Sequence, residues 1–83
     1  VVDMPSVTQL RIFPNPVQDY LFVESNQNIK HISISALTGN EIITIRPELT
    51  EIQIELSKIP KGVYLITVKL TDNTNVSKKL IKN

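Results

Sequence analysis

Residues 60–83 constrain the fold more than any other stretch. Pro60-Lys61-Gly62 closes a loop, and the eight residues Val63-Tyr64-Leu65-Ile66-Thr67-Val68-Lys69-Leu70 follow it without a turn former. By the two-residue period of a strand, Tyr64, Ile66, Val68 and Leu70 share one wholly apolar face. Val63, Leu65, Thr67 and Lys69 share the other, which passes from apolar to polar. Thr71-Asp72-Asn73-Thr74-Asn75 is a turn cluster, and residues 76–83 read as a second strand. The pattern predicts an antiparallel hairpin against which the rest of the chain packs.

The remainder has the same grain. Leu10-Arg11-Ile12-Phe13 is a short strand, ended by Pro14-Asn15-Pro16, because prolines remove ladder donors and hold their neighbours extended. Val17-Gln18-Asp19 connects to a strand at residues 20–24, apolar on both faces for most of its length, and Ser25-Asn26-Gln27-Asn28 reads as a polar loop. In residues 31–36, Ile32, Ile34 and Ala36 alternate inward with His31, Ser33 and Ser35 outward. Gly39 closes a turn before a hairpin partner at residues 41–45. Ile52, Ile54 and Leu56 alternate in a further strand, and Ile59 in the following loop is expected to plug the core. This gives seven short strands with turn signals about every 8–12 residues, the pattern of an antiparallel β-sandwich. No window supports a helix.

Eighty-three residues make one domain, and a composition of 41% hydrophobic and 20% charged residues suits a globule rather than a disordered tail. There is no Trp, and the only aromatics are Phe13, Tyr20, Phe22 and Tyr64, so the core is expected to be aliphatic with most of those rings inside it. A net charge of +1 is too small to imply nucleic-acid binding. No run approaches the roughly 20 apolar residues of a membrane-spanning helix, so direct membrane insertion is not expected. The absence of Cys excludes disulfide staples. The chain starts Val1-Val2-Asp3, with neither an initiator Met nor a secretory pattern. It is therefore expected to be a piece of a longer protein, with residues 1–8 a linker and the last strand running to a natural terminus.

Little here can do chemistry. A nucleophile needs a base beside it, and the only His, His31, sits in a serine stripe with no orienting acid at a fixed offset. One His and no Cys leave no ordinary structural zinc site. Asp72-Asn73-Thr74-Asn75 starts like a calcium loop but lacks the Gly and the distal Glu of that pattern. Its residues are also those of ordinary hairpin turns. With only Gly39 and Gly62, no glycine-rich phosphate loop exists. No catalytic residue, metal or cofactor is expected. Lys69, Lys78, Lys79 and Lys82 gather charge in the last hairpin, where lysines guard an edge strand against aggregation or form a recognition element.

Four motifs, in order, resemble one family. Leu10-Arg11-Ile12-Phe13-Pro14-Asn15-Pro16 looks like the opening of the type IX secretion C-terminal sorting domain (type A) of Bacteroidetes secreted proteins. Residues 34–42, around Gly39, resemble its central hairpin, with Ile42-Ile43 departing from the pattern. Residues 56–64, ending Gly62-Val63-Tyr64, resemble its Gly-hydrophobic-Tyr stretch, and Lys79-Leu80-Ile81-Lys82 resembles its basic-hydrophobic terminus.

The resemblance covers residues 9–83 and implies a seven-stranded immunoglobulin-like sandwich that catalyses nothing. Such a domain rides behind a cargo protein in the same chain, passes through the periplasm, and is recognised by the outer-membrane translocon. A sortase-like peptidase then commonly removes it, leaving the cargo at the cell surface or in the medium. Lys78, Lys79, Leu80, Ile81 and Lys82 are the expected recognition residues, through strand-edge pairing, with Leu80 and Ile81 filling pockets. Pro14, Asn15, Pro16, Gly39, Gly62 and Tyr64 are expected to shape the fold. The rival readings are an appended sandwich that binds carbohydrate or protein, and an inert spacer. Carbohydrate binding is disfavoured while most aromatics are expected in the core.

Overall fold

The computed structural model describes residues 9–83. The expected linker, residues 1–8, lies outside the described residues. Among the described residues six strands form: β1 (Leu10–Phe13), β2 (Tyr20–Ala36), β3 (Glu41–Ile45), β4 (Leu49–Glu55), β5 (Gly62–Leu70) and β6 (Asn75–Lys82). All pairings between these strands are antiparallel and join one hydrogen-bonded network, in the order β1-β2-β5-β6, with β3 and β4 also on β2. The all-β antiparallel expectation holds. The expected count of seven strands does not.

The count differs because β2 runs unbroken for 17 residues through Ser25-Asn26-Gln27-Asn28, which the sequence reads as a loop. Those residues contain no Gly or Pro, and distant partners hold them extended. The Asn26 amide donates to the Gln9 carbonyl at 3.2 Å. Gln27 Nε2 donates to Asp72 Oδ2 at 3.0 Å, and Gln27 Oε1 accepts from the Thr71 hydroxyl and the Asp72 amide. The tetrad still has an effect. Leu21 and Val23 point inward before it and Ile32 and Ile34 after it, so the inward parity flips, with register shifts between Glu24 and Ile29 and between Ile29 and His31. The first half of β2 pairs with β1 and β4, the second with β3 and β5. Both halves line one core.

That core is aliphatic, as expected. Val17, Leu21, Val23, Ile29, Ile32, Ile34, Leu56, Ile66, Val68, Leu70 and Leu80 are fully buried, and Ile59 packs against them. The alternation in β5 reads correctly: Tyr64, Ile66, Val68 and Leu70 are all buried. The aromatics do not follow expectation. Tyr64 alone lies in the core, while Tyr20 is 46% and Phe22 36% exposed. Both sit at outward positions of a strand whose other face, Leu21 and Val23, fills the interior. An all-apolar run leaves that choice open, because period two does not say which side is in.

The departure at Ile42-Ile43 is a β-bulge. Ile43 pairs with Ile34 but Glu41 pairs with Ser35, so Ile42 is an extra residue on β3 and remains exposed. Gly39, at φ +99°, closes the turn before it, and the Ala36 amide donates to the Asn40 carbonyl at 2.8 Å. Ser33, expected outward among solvated serines, is covered. Its hydroxyl donates to Glu41 Oε2 at 2.8 Å, and the Thr44 and Ser33 hydroxyls together hold the Glu41 carboxyl below its ordinary value.

Candidate functional site

The last hairpin is the site that the sequence singles out. β5 and β6 pair along their whole length, from Gly62 opposite Lys82 to Lys69 opposite Asn75. Tyr64 anchors the start of β5. Its ring lies over Gly62, and its hydroxyl donates to the Pro60 carbonyl at 2.6 Å. Main chain and side chain thus close the Pro60-Lys61-Gly62 loop. At the other end, Asn73 takes φ +68° in the turn, and Asp72 Oδ1 accepts from the Thr74 amide at 2.9 Å. Both Asp72 oxygens accept hydrogen bonds, from Thr74 and Gln27, which keeps its carboxyl below its ordinary value. The oxygen-rich loop is therefore a hairpin turn tied to the middle of β2.

The five candidate recognition residues separate by parity. Leu80 and Lys82 point inward: Leu80 is fully buried and Lys82 is 8% exposed, its Nζ donating to the Asn83 carbonyl oxygen at 3.1 Å. Lys78 shares that parity opposite the fully buried Ile66, yet is itself exposed at the sheet's rim. Lys79 and Ile81 point outward. There Ile81 pairs with Val63 and Lys79 with Leu65, and Val63 and Leu65 are 41% and 39% exposed. Farther along the same face, the Thr67 and Ser77 hydroxyls meet at 3.1 Å. The outer face of the hairpin is thus an aliphatic patch of Val63, Leu65 and Ile81 beside the Lys79 ammonium. Leu80, expected in a partner's pocket, belongs instead to the domain's own core.

The edge of β6 is also committed over its last residues. Asn15 Nδ2 donates to the Lys79 carbonyl at 2.9 Å, and Asn15 Oδ1 accepts from the Ile81 amide at 3.0 Å. The next rung is main chain: the Val17 amide donates to the Ile81 carbonyl and the Asn83 amide to the Val17 carbonyl, each at 2.8 Å. Asn15 presents an amide as a strand would, and Val17 continues it as a parallel bridge to Lys82. The Pro-Asn-Pro corner therefore covers the strand edge that sequence reading expects to be open. Because odd residues of β6 direct their main chain outward, the part of this edge left uncovered by the described residues is Asn75 to Ser77. Sequence reading takes Val17 for a turn residue. Its full burial and its contacts across 64 to 66 positions, to Ile81, Lys82 and Asn83, leave no local signal.

Residues 11–83 match the family described as the secretion system C-terminal sorting domain. No curated protein matches the chain. The matched region takes in five whole strands and all but the first residue of β1, and it includes both the Asn15 corner and the hairpin that the corner clasps.

Proposed function

The chain belongs to the secretion system C-terminal sorting domain family, the sorting domain of type IX secretion, and from that premise we propose that it is a non-catalytic signal carrying an upstream cargo across the outer membrane. Membership implies export through the outer membrane in Bacteroidetes. The observation that carries the reading is the family match from the first strand through the last. On this reading residues 1–8 lead from the cargo, a sortase-like peptidase cuts the domain away, and the cargo is left at the cell surface or in the medium. The two halves of the strand network are read as the facing layers of an immunoglobulin-like sandwich, supported by the single core that their inner faces share.

The translocon reads the outward residues of the last hairpin. Lys79 and Ile81, with Val63 and Leu65, offer an apolar contact beside a cation, and exposed Lys78 adds charge at the rim. Leu80 and Lys82 contribute by holding the strand in place. Strand addition along residues 79–83 is disfavoured, because Asn15 and Val17 already use those main-chain groups.

The test is an export assay with this chain fused behind a periplasm-directed reporter, in a bacterium with a working type IX system. Export is expected from the wild type and a large loss from Val63→Ser with Ile81→Ser, in a domain still folded by circular dichroism. Export of that variant at the wild-type level would remove the outer face from the signal. Absence of export from the wild type would overturn the sorting reading itself.

A further inference from the structure

The outward face at the other end of β2 holds three of the chain's four aromatic rings. Phe13 on β1 pairs with Phe22 on β2, and their rings stack with centroids 5.6 Å apart. Tyr20 lies one outward position along. Across β2, the outward residues of β4 are Glu51, Gln53 and Glu55, opposite Glu24, Phe22 and Tyr20. The outer face of a sheet is ordinarily polar, and a contiguous aromatic strip there marks a contact surface. Shallow clefts flank the strip on both sides, one lined by Arg11, Glu24 and Asn26, the other by Phe22, Glu24, Glu51 and Gln53.

Charge identifies the occupant. Glu24 and Glu51 stand directly opposite each other, a like-charge pair that disfavours the sheet. On one side of β2 the chain relieves this itself. Arg11 lies 4.8 Å above the Phe13 ring centroid, and its Nη1 is 3.3 Å from Glu24 Oε1. That is a guanidinium held between an aromatic face and a carboxylate. On the other side the same ingredients recur, Phe22 and Tyr20 beside Glu51 and Glu55, with no ion pair to either glutamate among the described residues. We propose that this face docks an extended basic peptide segment, whose Arg or Lys side chains lie over Phe22 and Tyr20 and pair with Glu51 and Glu55 as Arg11 pairs with Glu24. The surface is separate from the last hairpin, so the domain presents an acidic aromatic face as well as its basic aliphatic one. The expectation that the rings lie in the core, which counted against a binding module, does not hold for this face.

The probe is an octapeptide alternating arginine and serine, titrated into the 83-residue chain by NMR, with a glutamate–serine octapeptide as control. The expected result is saturable shifts of the Tyr20 and Phe22 ring resonances with the arginine peptide only, weakening as salt rises. Glu51→Gln with Glu55→Gln should weaken binding about fivefold or more, the loss of two exposed ion pairs. That variant relieves the Glu24–Glu51 repulsion, so loss of folding does not confound it. Phe22→Thr should weaken binding independently. The proposal is overturned by equal affinity in the glutamine variant, by shifts confined to β5 and β6, or by no binding. It is equally overturned if a neutral hexasaccharide moves the same rings and the arginine peptide does not, or if sedimentation shows self-association that the glutamine variant abolishes.

Discussion

Replacing Asn15 tests whether the Pro-Asn-Pro corner clasps the last strand. Four hydrogen bonds hold the outer edge of β6 over residues 79–83, two from the Asn15 side chain and two from the Val17 main chain. Asn15→Ala removes the first two. A typical bond contributes about 0.5–1.5 kcal/mol net, so the loss is about 1–3 kcal/mol, toward the low end because Asn15 is exposed and water can replace it. At about 0.05–0.15 kcal/mol per residue the whole domain has only about 4–12 kcal/mol of stability. Urea unfolding reads the global cost, and amide exchange at Ile81 reads the local one. In Asn15→Ala the Ile81 amide loses its acceptor, and its exchange should quicken by about tenfold or more, while the Ile66 amide slows or quickens only with global stability. Asn15→Asp separates the two bonds. Its carboxylate still accepts from Ile81 but faces the Lys79 carbonyl with no proton to give, so Ile81 stays protected while global stability falls. An Ile81 amide that exchanges at the wild-type rate in the alanine variant, at equal global stability, would refute the clasp.

The other predictions concern the core, the loop and the turn. Leu80→Ala should cost about 2–5 kcal/mol in urea unfolding, as for other fully buried leucines, whereas Ile81→Ser on the outer face should cost less than half as much; equal costs would contradict the parity of β6. Tyr64→Phe removes only the hydroxyl that donates to the Pro60 carbonyl, and the thermal midpoint should fall by the equivalent of about 1 kcal/mol. Asp72 and Glu41 both have folded-state pKa values below their ordinary ones, so the stability they add is full above those ordinary values and is lost as pH falls through the folded ones. The urea midpoint should be flat down to about pH 5 and drop below about pH 4. Asp72→Asn with Glu41→Gln should lessen that drop, and an unchanged pH profile would remove both carboxylates from the account.

What could be read from sequence was whatever the two-residue period controls. In β5 every second residue is apolar and every one of those is buried, so strand, face and core followed together. The bulge at Ile42 also left a local trace, as the departure of Ile42-Ile43 from the family's pattern. Three features left none. The Ser25-Asn26-Gln27-Asn28 tetrad is extended because Gln9 and the turn at residues 71–74 bond to it, and the turn lies 45 positions away. Asn15 reaches Lys79 and Ile81 across 64 and 66 positions. Tyr20 and Phe22 alternate with Leu21 and Val23, equally apolar, and only the pairing with β1 and β4 decides that the aliphatic pair goes in. The candidate recognition residues were legible as a basic aliphatic stretch, but their split into Leu80 and Lys82 inside and Lys79 and Ile81 outside depends on the register with β5.

That split bears on how a signal in the last strand can be read at all. A partner that added a strand beside residues 79–83 would first have to displace Asn15 and Val17, four hydrogen bonds and a fully buried valine. Displacing Val17 alone exposes a core side chain, a cost of about 1.5–3 kcal/mol before any new contact forms. A partner that touches the outer face meets no such barrier, since Val63, Leu65, Ile81 and Lys79 already face solvent. The same inward residues that are hidden from a partner keep those four in register: Leu80 is fully buried opposite Tyr64, and a strand pinned from below by Leu80 and from its edge by Asn15 presents Lys79 and Ile81 at fixed positions. On the proposed reading, truncating the last residues acts in two ways, removing the outward groups offered to the translocon and releasing the strand that positions the rest. Only point variants on opposite faces of β6 tell the two apart.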